Sequence, residues 1–198
     1  MSRNRSHMTL IALAAAALAL LGTAVLAWAQ PMRGTSGADT LTGTDFRDRI
    51  VARAGDDTVD AKAGRDRVRG GKGNDTIDAG AGSDRVFGHR GDDTLSGGFG
   101  RDVMLAGPGV DTVDGGPGRD SLWALARIDV TGASGEPTDT VNGGPGNDRI
   151  HVRDGEADKV TCGPGRDVVR ADRKDVIAGD CEVTKRRAPR PGDDDRED

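Results

Sequence analysis

Residues 70–87 read GGKGNDTID AGAGSDRVF, two nine-residue units with Gly at slot four, Asp at slot six and an apolar residue at slot eight, differing at slot seven in Thr against Arg. The frame extends in both directions. Started at Gly34, it gives ten unbroken units ending at Trp123, and slot six is aspartate in all ten: Asp39, Asp48, Asp57, Asp66, Asp75, Asp84, Asp93, Asp102, Asp111 and Asp120. Slot eight is always apolar, from Leu41 and Ile50 to Met104 and Leu122, and slot four is Gly in nine of ten, Phe46 being the exception. Such a period marks a repeat architecture, in which each unit buries its apolar residue only against its neighbours. Composition agrees: 31 Gly in 198 residues and 34% hydrophobic content leave too little apolar material for one thick core.

The units fit the pattern G-G-x-G-x-D-x-U-x, with near-strict copies GGKGNDTID, GGFGRDVML, GGPGRDSLW and, further on, GGPGNDRIH at 143–151. In these residues the chain resembles the haemolysin-type calcium-binding (RTX nonapeptide repeat) family, from residue 34 to about residue 182. The resemblance implies an all-β fold, a parallel β-roll of two short-stranded sheets that binds multiple calcium ions (Ca2+). It also implies the ligands: the ten aspartates above with Asp139 and Asp148, and backbone carbonyls of the turns, including those of Gly55, Gly71, Gly73, Gly82, Gly91, Gly98, Gly100, Gly109, Gly116 and Gly118. Ala at slot one (Ala52, Ala61, Ala79, Ala106), Arg53, Lys62 or His89 at slot two, and Phe46 depart from the pattern, and their turns are expected to be imperfect cages.

Physical chemistry gives the slots a rationale. Glycines at slots one, two and four permit the positive φ of a tight turn, and slots seven to nine form a short strand whose middle residue points inward. Two turns and two strands close one coil of eighteen residues. Like turns then stack about 4.8 Å apart, so Asp39 lies near Asp57 and Asp48 near Asp66. Each such pair of like charges costs on the order of 1–3 kcal/mol. A hard divalent cation with oxygen ligands removes the repulsion, which makes calcium the expected folding cofactor and the metal-free chain largely disordered.

Alternate units sort into two faces. Slot seven is Thr40, Thr58, Thr76, Thr94 and Thr112 on one, and Arg49, Arg67, Arg85, Val103 and Ser121 on the other. On the arginine side slot five is also basic at Arg47, Arg65, Arg101 and Arg119, from which neutralisation of the adjacent aspartates and weaker calcium binding are expected. There, too, Phe87, Leu105 and Trp123 occupy slot nine and predict an outward apolar strip, covered by the insertion 124–133 or by a surface partner or second copy. The threonine column raises a further reading, ice binding, although Thr is in any case a favoured strand residue.

The chain begins with a basic stretch, an apolar run and Ala27-Trp28-Ala29, which predicts a secretory signal peptide over 1–29, cleavage after Ala29 and an extracellular, secreted product; left uncleaved, the segment would be a membrane anchor. Export permits disulfides, and the only cysteines, Cys162 and Cys181, are expected to pair. The β-roll is predicted over 34–151 with the insertion at 124–133, degenerate repeats and a stapled cap over 152–183, and a disordered charged tail over 184–198. A net charge of −5 argues against a nucleic-acid partner. No catalytic constellation is legible: His89 and His151 are isolated substitutions. The sequence therefore reads as a secreted calcium-binding protein and not an enzyme, with a calcium-dependent adhesin or surface-interaction module as the alternative.

Overall fold

The computed structural model describes residues 31–124 and 139–186. The signal segment with its cleavage point, all of the insertion after Ala124, and residues 187–198 lie outside the described residues. The described chain is all β, without helix.

Two parallel sheets face each other. The nine-stranded arginine sheet runs Met32–Arg33, Arg49–Ala54, Arg67–Lys72, Arg85–Arg90, Val103–Leu105, Ser121–Trp123, Arg149–Val152, Val168–Ala171, Val183–Arg186. The eight-stranded threonine sheet stacks Thr40–Thr42, Thr58–Asp60, Thr76–Asp78, Thr94–Ser96, Thr112–Asp114, Thr140–Asn142, Lys159–Thr161 and Val176–Ile177. Consecutive strands of one sheet are one coil apart in sequence, so Thr40 pairs with Thr58 and Arg49 with Arg67, eighteen residues on. Between Asp111 and Asp139 the separation grows to 28 residues, yet the register is kept, with Thr112 opposite Thr140. The ten extra residues therefore leave the strand pairing on either side of them unchanged.

Strands this short form because each contributes a single inward side chain. Slot-eight residues from Leu41 to Val169 are at most 4% exposed and meet across the gap between the sheets. Slot one joins them: Ala52, Ala61, Ala79 and Ala106 are buried in the same core. Contrary to the sequence expectation, the slot-one glycines do not adopt positive φ. Slot one is small because space is short, and a Cβ on Gly70 would overlap Asp75 Oδ2.

The ends are closed differently. Cys162 and Cys181 form a disulfide, Cα–Cα 5.2 Å, that ties the last coil to the one before it. Closing a loop of this length stabilises by about 3 kcal/mol. Val183–Arg186 pairs with Val168–Ala171, so Thr184, Lys185 and Arg186 belong to the sheet and not to the predicted tail. Backbone pairing with an open strand edge outweighs the polar composition of these three residues.

Candidate metal-binding turns

Each slot-six aspartate sits where a turn meets its strand, and all twelve predicted carboxylates are at most 5% exposed. Two bonds tie each to the next coil. Asp39 N–H donates to Asp57 Oδ1 at 2.7 Å, and the Asp39 carbonyl accepts from Thr58 N–H at 2.8 Å. The pattern repeats from Asp57 to Asp75, Asp93 and Asp111 in the threonine-row turns, and from Asp48 through Asp66, Asp84, Asp102 and Asp120 to Asp148 in the arginine-row turns. The ligands expected from the sequence end at Asp148, but the column continues. Asp148 N–H donates to Asp167 Oδ1 at 2.8 Å, and Asp167 N–H to Glu182 Oε2 at 2.7 Å, which ends that column. Asp167 was findable, since CGPGRDVVR keeps the slot; Glu182 lies outside the frame.

Only one oxygen of each carboxylate is used this way. The other, Oδ2, is buried and without a hydrogen-bond partner in Asp57, Asp66, Asp75, Asp84, Asp93, Asp102, Asp111, Asp120 and Asp148, and in Asp167. A buried oxygen with no donor costs roughly 1–3 kcal/mol, more when charged. Burial consequently raises these acids: Asp57 and Asp148 to about 6, Asp66, Asp93, Asp102 and Asp120 to about 7, and Asp111 to about 8. Desolvation is the largest cause in each, opposed by the amide bond from the preceding coil and reinforced by neighbouring carboxylates.

The first coil is different. In GTSGAD and GTDFRD the slot-two threonine turns its donors onto the second oxygen: Thr44 N–H and Oγ1–H reach Asp48 Oδ2 at 2.7 and 3.0 Å, and Thr35 does the same for Asp39 Oδ2. The protein itself satisfies this oxygen in these two carboxylates. Phe46 stands exposed at slot four: a slot-four Cα lies against the carbonyl of the coil before it, and no such coil precedes Phe46 among the described residues. A Cβ on Gly100, by contrast, would overlap the Gly82 carbonyl oxygen.

From Arg53 to Gly116 slot two takes the left-handed region, with Gly71 at φ 135° and Gly98 at 81°. Arg53, Lys62 and His89 occupy the same conformation at φ 89°, 75° and 82°. Each departure costs on the order of 1 kcal/mol against glycine but leaves the turn intact.

Slot five, which the sequence reading treated only as a charge, organises a second ladder. In threonine-row turns Asp56 Oδ1 accepts from Asn74 N–H (2.8 Å), Asn74 Oδ1 from Asp92 N–H (2.9 Å) and Asp92 Oδ1 from Val110 N–H (2.9 Å). Asn147 does the same for Arg166 N–H at 2.8 Å. Where slot five is Ser83 or Arg101, the next slot-five amide goes instead to the slot-four carbonyl: Arg101 N–H to Gly82 O at 3.2 Å and Arg119 N–H to Gly100 O at 3.1 Å.

The slot-five arginines do not neutralise the aspartates as expected. None of Arg47, Arg65, Arg101 and Arg119 has an ion-pair partner among the described residues, because they are exposed while the carboxylates are buried. The slot-nine strip does form: Phe87, Leu105, Trp123 and His151 are register neighbours, with Trp123 stacked on His151 at 5.1 Å and Arg69 lying 5.7 Å from the Phe87 ring. His89 is stacked on Phe87 and so is separate from His151.

Hard-oxygen donors with unused lone pairs, repeated at every coil and excluded from water, are what a divalent cation such as calcium takes. Comparison with known families agrees. The RTX calcium-binding nonapeptide repeat matches the chain in four copies, at residues 33–68, 62–95, 87–122 and 138–156. No curated protein matches the chain.

Proposed function

This chain belongs to the RTX calcium-binding nonapeptide repeat family, and from that membership we propose that it is an exported protein whose roll folds when calcium fills its turns. The single observation that carries the reading is the column of buried aspartate oxygens without donors, from Asp57 to Asp148. The holding residues are the slot-six aspartates Asp57, Asp66, Asp75, Asp84, Asp93, Asp102, Asp111, Asp120, Asp139 and Asp148, with turn carbonyls such as those of Gly55, Gly73 and Gly91. Bound calcium supplies positive charge and oxygen coordination where burial otherwise disfavours a carboxylate. Asp39 and Asp48 start the columns, with Oδ2 already served by Thr35 and Thr44, although Asp48 Oδ1 stays buried without a partner. The chain's own contribution is the stacking, which brings carboxylates of successive coils together and keeps water out. The Cys162–Cys181 disulfide fits an oxidising, extracytoplasmic destination. Circular dichroism of residues 30–198 tests the proposal: β structure with calcium and its loss with a chelator at neutral pH are expected, and a calcium-insensitive spectrum refutes it.

A second reading, a calcium-dependent surface-interaction module, is favoured by the arginine face. Its Phe87, Leu105 and Trp123 strip continues a column that holds Arg69, beside Arg49, Arg67 and Arg85, which have no ion-pair partner among the described residues. Such a face suits an acidic cell-envelope polymer through charge and ring stacking. Adsorption of the calcium-loaded chain that Trp123→Ala abolishes, with the circular dichroism spectrum unchanged, supports it; absence of adsorption at low salt refutes it.

A further inference from the structure

We propose that the residue at slot five decides which turns take calcium, by deciding whether the slot-four carbonyl is consumed inside the protein. This rests on the calcium reading above and goes beyond it, because all turns share the slot-six carboxylate that family membership points to.

A turn offers a cation two kinds of oxygen, the slot-six carboxylate and the backbone carbonyls. The carboxylate is equivalent in both rows, with one oxygen bound and one bare. The carbonyl is not. The slot-five amide of the next coil needs an acceptor, since a backbone N–H is not left unmade. Where slot five carries Asp56, Asn74, Asp92 or Asn147, the side-chain oxygen takes that amide at 2.8–2.9 Å. The carbonyls of Gly55, Gly73 and Gly91 are thereby spared it, whereas Gly146 stays bridged to Gly165. Where slot five is Ser83 or Arg101, the amide bonds to Gly82 O or Gly100 O, and that carbonyl is already engaged. A cation there would have to compete with a backbone hydrogen bond for an oxygen it needs in its coordination shell.

Calcium is accordingly assigned to the turns of Gly55, Gly73 and Gly91 in the threonine row. The turns of Gly82 and Gly100 are weak or empty. The difference does not depend on arginine charge, and the side-chain substitutions that test it can be neutral.

The test is the number of ions bound by the full chain, read by native mass spectrometry and by calorimetric titration, with circular dichroism recorded on every sample. Asn74→Ala removes the acceptor without changing charge and is expected to lose one ion, while Asn74→Asp keeps the count. Arg101→Asn supplies an acceptor to Arg119 N–H, frees Gly100 O and is expected to gain one ion. Arg101→Ala removes the same charge without an acceptor and is expected to gain none. Equal counts for Asn74→Ala and wild type, or a gain for Arg101→Ala matching that for Arg101→Asn, would overturn the inference. Should Asn74→Ala fail to fold, the two Arg101 variants decide it. A wild-type chain that binds no calcium refutes the underlying calcium reading, an outcome separate from unchanged counts in the variants.

Discussion

Stripping calcium should make the fold depend on pH in the direction opposite to ordinary acid denaturation. Burial raises Asp93 and Asp102, one in each row of turns, from 3.8 to about 7. A carboxyl whose folded pKa lies above its unfolded value binds more protons when folded. Its contribution is therefore fully present below about pH 4 and is lost as pH rises through about 7. A rise of about three pH units corresponds to about 4 kcal/mol per group, so these two together remove about 8 kcal/mol between acid and weakly alkaline solution. That matches the whole stability of a typical domain, roughly 5–15 kcal/mol, before the other raised aspartates are counted. The metal-free chain is thus expected to show β structure near pH 5 and to lose it by about pH 8, and calcium added at pH 8 should restore it. Near neutral pH, where the folded-state acids hold protons, calcium binding should release them. The assay is circular dichroism across pH with a chelator, with proton release measured as the buffer-dependent part of the calorimetric heat. A metal-free chain as well folded at pH 8 as at pH 5 would refute the reasoning.

Three further outcomes follow from particular contacts. Gly100→Ala places a Cβ into the Gly82 carbonyl at a φ of 144°, and about 3 kcal/mol of destabilisation, roughly 6–12 °C in Tm, is expected in calcium. Thr44→Val removes the hydroxyl donor to Asp48 Oδ2 and should cost about 1 kcal/mol in thermal melts. The same loss is expected with calcium and with chelator at acid pH, because protein donors serve this oxygen. Reducing Cys162–Cys181 should lower stability by about 3 kcal/mol in urea titration of the calcium-loaded chain, the loss of a closed loop of nineteen-residue separation.

Much of the architecture was legible because each slot answers to local physics. An apolar residue every nine positions fixes the inward side chain, and an eighteen-residue circuit fixes which strands pair, so Thr40 finds Thr58 and Arg49 finds Arg67. The ten extra residues were legible as a break in an otherwise kept frame, and the strands on either side pair in that frame. Slot one was misread, since glycine alone does not distinguish a need for positive φ from a need for space, and only the packed Asp75 carboxylate against Gly70 shows which applies. The arginines at slot five were read as counter-charges from adjacency in sequence; adjacent residues point to opposite sides of the turn, leaving Arg101 exposed while Asp102 is buried.

Thus the sequence by itself determined the coil length, the core column, the two columns of aspartate and the two chemically distinct faces, all of which are properties of one repeat and its period. Only the tertiary structure decided which oxygens remain to be satisfied. Thr44 serving Asp48, Asn74 serving the amide of Asp92, and Gly82 O taken by Arg101 N–H are contacts made within a turn or between coils. A hydrogen bond is assigned by competition among all donors and acceptors that stacking brings within reach, and that competition has no counterpart in a single repeat.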